Sequence, residues 1–259
     1  MRRTTPLLAC TLLLASAAAF AQRTYDLSEA VVGTTTSRSM YFRFEATQAD
    51  ESGTFVEKAD RYRPVVVHSH GCNGVTGGDM TLMDFYRGLG FHVVLLQFHA
   101  RGDASSSCPV PVASATGHPE TGNPHRMKAR RMELERQIAW LEGIGFRSIV
   151  ATGHSEGGKV VQGFKARVAG VVLHAMDCKE RNLWDPHPDN RYLALYSTRD
   201  PWITGKGSYP TRACAHLFSG SQVRDVRSTV ESHDPLADPA WREEIRKFLA
   251  DILPPSRPH

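Results

Sequence analysis

Apolar residues fall into two kinds of pattern along this chain. Unbroken runs rich in Val, Leu and Ile occur at VVVHSH (65–70), HVVLLQF (92–98), SIVATG (148–153), GVVLHAM (170–176) and YLALYS (192–197), with a weaker one at QVRDVRST (222–229). Such runs, apolar without alternation, predict strands buried on both faces. Two earlier segments, 30–33 and 41–46, alternate apolar and polar positions and predict an antiparallel edge. The intervening segments MTLMDFYRGLG (80–90), HRMKARRMELERQIAWLEGIG (125–145) and 239–253 carry helical periodicity. In the second of these, Met127, Met132, Leu134, Ile138 and Leu141 predict one core-facing side. Eight strands alternating with helices imply an α/β class, a mostly parallel sheet with helices on both faces. The tail LPPSRPH should fray, because its prolines cannot extend a helix.

The N-terminus changes the picture of where this sheet works. Arg2 and Arg3 precede the apolar run PLLACTLLLASAAAF and the small-residue site Ala19-Phe20-Ala21, which together predict a cleaved signal peptide over 1–21. The run is short for a bilayer span, so no stable membrane insertion is expected, and the mature protein would be periplasmic or secreted. Cleavage at Leu7-Leu8-Ala9-Cys10, as in a lipoprotein, would leave almost no hydrophobic core to the signal. Residues 22–259 read as one α/β domain without linker or repeat. Removing Arg2 and Arg3 lowers the formal charge from +4 to +2, and the remaining cations are interspersed with carboxylates, which excludes a nucleic-acid footprint. Cys72, Cys108, Cys178 and Cys214 remain, and in an oxidising compartment they predict disulfides with three possible pairings. Oligomeric state is not encoded in any of these patterns.

Chemistry concentrates at ATGHSEGGKV (151–160). Gly153-His154-Ser155-Glu156-Gly157 matches G-x-S-x-G directly after a predicted buried strand and before the helical stretch KVVQGFKARV. So tight a strand-to-helix turn forces the serine into an unfavourable backbone conformation and pushes its hydroxyl outward, while the glycines avoid collision with neighbouring strand and helix. With these residues the chain resembles the α/β-hydrolase superfamily, and more narrowly the dienelactone-hydrolase-like family, over residues 60–250 or so. The resemblance implies an α/β-hydrolase fold, an eight-stranded mostly parallel sheet in the order 1-2-4-3-5-6-7-8. Members of the narrower family often carry a cysteine nucleophile, where this chain has Ser155.

A serine needs a base and a group to orient it, and the superfamily's order of serine, acid, histidine gives the positions. YLALYSTRDPW places Asp200 beyond the seventh strand, with Asp177 after the sixth as the alternative acid, and VESHDPLADPAW places His233 after the eighth. His70-Gly71 in HSHGCNG resembles the loop that supports the oxyanion hole, whose donors would be the backbone N–H groups of Cys72 and Glu156. The implied strand order also favours the pairings Cys72–Cys108 and Cys178–Cys214, each closing a loop of about 36 residues and contributing roughly 3–4 kcal/mol. Residues 101–124 and 178–191 follow strand ends and are either pocket walls or plain surface connections.

The expected function is a secreted serine hydrolase that cleaves a small-molecule ester or related acyl bond through Ser155, His233 and Asp200 and an acyl-enzyme, without cofactor or metal. His68, His70 and His154 do not have zinc-site spacing. The alternatives are a serine peptidase or acyltransferase on the same fold, an inactive secreted binding protein, and a metal-dependent hydrolase. Only about 15 residues connect the sixth and seventh strands, too few for a large cap.

Overall fold

A computed structural model describes residues 39–46, 48–97, 124–176, 178, 187–204, 214 and 222–253, apart from the side chains of 124–127, 129, 203 and 204. Its strands are β1 (Met40–Phe42), β2 (Val65–Ser69), β3 (His92–Leu96), β4 (Ile149–His154), β5 (Gly170–His174), β6 (Tyr192–Ser197) and β7 (Val223–Ser228). Its helices are α1 (Ser52–Lys58), α2 (Gly77–Gly88), α3 (Pro124–Gly143), α4 (Glu156–Gln162), α5 (Pro201–Thr204) and α6 (Pro239–Ile252). The seven strands form one sheet in the order β1-β3-β2-β4-β5-β6-β7, with β1 antiparallel to β3 and every other pair parallel. Seven of the eight expected strands are therefore present in the expected order; the other, at 30–33, lies outside the described residues. So do the signal segment 1–21, Cys108, Asp177, the whole loop 101–123 and most of 178–191.

Both faces of the sheet are covered, which is why the strands read as unbroken apolar runs. On one face Val65, Val67, Ala151, Val171 and Leu173 pack against Leu134, Ile138 and Leu141 of α3 and Val160 and Val161 of α4. On the other Val66, Val150, Val172, Leu193 and Leu195 meet Leu82, Met83 and Tyr86 of α2 and Trp241, Ile245, Phe248 and Leu249 of α6. Neighbours in sequence thus point to opposite layers, as pleating requires. The predicted side of α3 holds for Leu134, Ile138 and Leu141, which are fully buried. Met132 departs from it at 49% exposure, because it lies off the stripe those three define. Helix α1, which periodicity did not predict, is short and polar and buries only Phe55, stacked with Phe146 at 5.8 Å.

The chain order positions the site. From β2 the chain crosses to β3 on one side, then returns across β2 to β4 on the other, so a crevice opens at the C-terminal ends of β2 and β4. A larger hollow of about 220 Å³ lies at the opposite edge, lined by Arg43, Phe44, Asp60, Arg63 and His92. Both of its arginines are paired: Arg43 with Asp50 at 2.9 Å and Arg63 with Asp60 at 3.6 Å, and the Arg63 guanidinium lies 3.7 Å from the centre of the Phe44 ring.

Candidate active site

Ser155 lies between the last residue of β4 and the first of α4, and its backbone sits at φ 55°, ψ −118°, a region that L residues with a Cβ avoid. Its N–H is held by the His174 carbonyl of β5 at 2.9 Å. The turn closes this tightly only because of its glycines. A Cβ on Gly153 would lie 2.2 Å from the Gly157 carbonyl oxygen, and one on Gly157 would lie 1.9 Å from the Ser69 carbonyl oxygen of β2. Gly71, on the loop after β2, comes so close to the elbow that its Cβ would stand 3.5 Å from Ser155 Cβ.

Asp200 follows β6 and is fully buried. One carboxylate oxygen accepts the Trp202 N–H at 2.9 Å, at the start of α5, and the other accepts the His233 Nδ1–H at 2.7 Å. That bond leaves the lone pair of neutral His233 on Nε2, as a general base requires. Ser155, His233, Gly71, Cys72 and Trp202 line one small cleft of about 40 Å³. Trp202 is 46% exposed, and its ring centre lies 5.8 Å from that of His233. The predicted serine and histidine therefore share a cleft, and the predicted aspartate is bonded to the histidine.

The expected oxyanion residues have further connections. Glu156 is buried and its carboxylate accepts from Arg130 Nη1 of α3 at 2.5 Å. Arg130, only 2% exposed, also donates from Nη2 to Ser69 Oγ at 3.1 Å and to the His70 carbonyl. One guanidinium thus ties the end of β2 and His70, two residues before Cys72, to the residue after Ser155. Sequence reasoning missed Arg130, although a signal existed: it continues the Leu134, Ile138, Leu141 stripe at helical spacing, where an arginine needs a buried partner. His70 folds onto its own loop, Nδ1 donating to the Gly71 carbonyl at 2.6 Å. Gly77 and Gly78 form the first turn of α2. Cys178 and Cys214 form the expected disulfide, Cα atoms 5.0 Å apart. Cys72 is also disulfide-bonded, to a partner outside the described residues.

Three more buried histidines lie close by, His154 in the wall of the cleft itself. His68 Nε2 donates to Asp79 at 2.9 Å, and His154 Nε2 donates to the His233 carbonyl at 2.8 Å. His174 Nδ1 donates to the Pro235 carbonyl at 3.1 Å and its Nε2 accepts from Tyr86 at 3.3 Å. Among the described residues, no group of three or more His, Cys, Asp or Glu side chains is arranged to hold a metal ion. Burial, reinforced by nearby His68, pushes His174 from its ordinary 6.5 down to about 3. Between those pH values the unfolded chain takes up a proton that the folded protein refuses. The stability His174 permits is therefore complete above about 6.5 and is lost on acidification, at up to about 1.4 kcal/mol per pH unit. Denaturant titrations of wild type and His174→Gln from pH 7 to 4 should show a shallower slope in the variant; equal slopes would refute this account.

No protein-family model matches the sequence, and no curated protein does. Solved structures do match the fold. XC6422 from Xanthomonas campestris, an α/β serine hydrolase without a lid, superimposes at a TM-score of 0.52 and 14% identity, over 87% of this chain and 98% of that one. Est1E of Butyrivibrio proteoclasticus, solved with ferulic acid, gives 0.54 at 8% identity over 83% and 95% of the two chains. The Pyrococcus furiosus esterase Pf2001 gives 0.52 at 12% identity over 75% and 86%. The crossover around β2, the strand order and these superpositions together establish the α/β-hydrolase fold for this chain.

Proposed function

We propose that the protein is a secreted or periplasmic serine hydrolase that cleaves small carboxylic esters, with Ser155 as nucleophile, His233 as general base and acid, and Asp200 as orienting carboxylate. The observation that carries this reading is the 2.7 Å bond from His233 Nδ1 to buried Asp200, beside a cleft that His233 shares with a serine held at positive φ. Ester chemistry is further supported by the esterases among the structures of like fold. The disulfide Cys178–Cys214 fits an oxidising compartment and the predicted signal over 1–21. The narrower likeness to dienelactone-hydrolase-like proteins belongs to the same proposal, with Ser155 in place of their frequent cysteine favouring simple esters over dienelactones.

In this reaction His233 Nε2 takes the Ser155 proton as Oγ attacks the ester carbonyl, and negative charge develops on the carbonyl oxygen. The backbone N–H groups of Cys72 and Glu156 are the proposed donors to that oxygen, each contributing about 3–4 kcal/mol when aligned. Collapse of the tetrahedral intermediate expels the alkoxide, which collects the proton from His233 and leaves as alcohol. Water then attacks the acyl-enzyme with His233 again as base, freeing the acid and restoring Ser155 Oγ–H. The test is labelling with a fluorophosphonate, followed by peptide mapping, alongside turnover of p-nitrophenyl esters of increasing chain length. Labelling at Ser155 together with ester turnover is expected; a protein that reacts elsewhere, or hydrolyses only amides, would overturn the proposal.

A further inference from the structure

The residue before the nucleophile has a role of its own. His154 Nε2 donates to the main-chain oxygen of His233 at 2.8 Å, and its Nδ1 faces Asp79 Oδ1 at 3.4 Å. The His154 and His233 rings lie 5.0 Å apart. Asp79 is wholly buried at the start of α2, where its other oxygen accepts the Thr76 N–H at 2.8 Å and the Thr76 hydroxyl at 2.6 Å. This carboxylate therefore connects the end of the loop after β2, the nucleophile turn and, through His154, the loop carrying His233.

We propose that His154 is a positioning residue for His233, gripping the main chain of the base from a seat on Asp79 and presenting a positive charge beside its ring. The inference rests on the reading of His233 as the base. A carbonyl oxygen carries no proton, so His154 must hold one on Nε2. A neutral ring would then turn the Nδ1 lone pair toward a carboxylate, whereas a second proton makes that approach attractive. Burial opposes the charge, but Asp79 outweighs it, with a smaller contribution from Asp234, and His154 is raised above its ordinary value. Asp79 is held below the usual carboxylate range although its burial acts the other way, because His68 donates to it at 2.9 Å and His154 approaches it at 3.4 Å. The other titratable neighbours, His68 from β2 and His174 from β5, are both pushed down by burial and stay neutral near pH 7. Beyond its own partner Asp200, the charges facing His233 are thus those of the His154–Asp79 pair, with Asp234 on the adjoining loop.

Two substitutions separate grip from charge. In His154→Gln the amide can still donate to the His233 carbonyl, but Asp79 is left unbalanced and favours protonated His233. The acid limb of kcat/KM should therefore move up by about one pH unit, with a plateau near that of wild type. In His154→Ala the grip goes as well, and the plateau kcat should fall roughly 10- to 100-fold with little change in KM. NMR titration of the His233 imidazole in wild type and His154→Gln gives the same shift without relying on turnover. An unmoved His233 titration, or a neutral His154 ring at pH 7 by its nitrogen shifts, would overturn the inference. If wild type has no Ser155-dependent activity the functional reading fails instead, and the NMR comparison still decides this one.

Discussion

Replacing Ser155 by alanine should lower ester turnover by at least about a thousandfold while leaving the melting temperature within a degree or two of wild type. Alanine keeps the Cβ and hence the strained φ of 55°, so neither packing nor backbone energy changes much. Glycine at the same position separates the two contributions. Without a Cβ the conformation at φ 55°, ψ −118° ceases to be unfavourable, releasing strain of roughly 1–3 kcal/mol. Glycine's extra freedom in the unfolded chain returns roughly 0.5–1 kcal/mol of that. The expected outcome is an inactive Ser155→Gly protein more stable than wild type by about 1 kcal/mol. Kinetics and thermal melts on the purified variants check both halves. An alanine enzyme retaining a tenth of the rate would remove Ser155 from the chemistry, and a glycine variant melting below wild type would remove strain from the account of the turn.

Much of this arrangement was legible in the residues because it depends on local pattern. Strands covered on both faces need unbroken apolar runs, and every such run became a strand within a few residues of its predicted ends. The glycines around Ser155 were readable for a related reason: the strand–turn–helix permits no Cβ at Gly153 or Gly157, so the motif records a steric requirement. Asp200 and His233 followed instead from the resemblance, which implies an acid and a histidine after the last two strands, and the structure joins them. Tertiary partnerships were not legible. Nothing near Asp79 in sequence announces His68 or His154, since the carboxylate acts first as the helix-capping partner of Thr76. The exposure of Met132 and the single buried Phe55 of α1 likewise depend on which neighbours the fold supplies. Arg130 lay between these cases: its helical spacing marked it as inward-facing, but its partners belong to β2 and the turn at Ser155.

Arg130 is also where a single substitution should damage the fold and the chemistry together. In Arg130→Met the Glu156 carboxylate, 7% exposed, loses its guanidinium, and Ser69 and the His70 carbonyl lose a donor. Breaking one side of a buried ion pair costs about 3–5 kcal/mol, chiefly because the remaining charge has been stripped of water. The double variant Arg130→Met, Glu156→Gln carries no such charge and should recover most of the lost stability, since a buried pair is often replaceable by neutral groups of similar volume. Activity should not recover with it. The guanidinium joins the main chain at His70 to residue 156, and the two proposed oxyanion donors lie on those segments; neutral side chains would let the spacing relax. A lower kcat, by roughly 10- to 100-fold at similar KM, is therefore expected in the stable double variant, the signature of support given mainly to the transition state. Denaturant unfolding of the three proteins and their ester kinetics test this directly. A single variant that loses less than about 1 kcal/mol would mean that the ion pair contributes little to the fold. A double variant with wild-type kcat would mean that the oxyanion site keeps its geometry without the clamp.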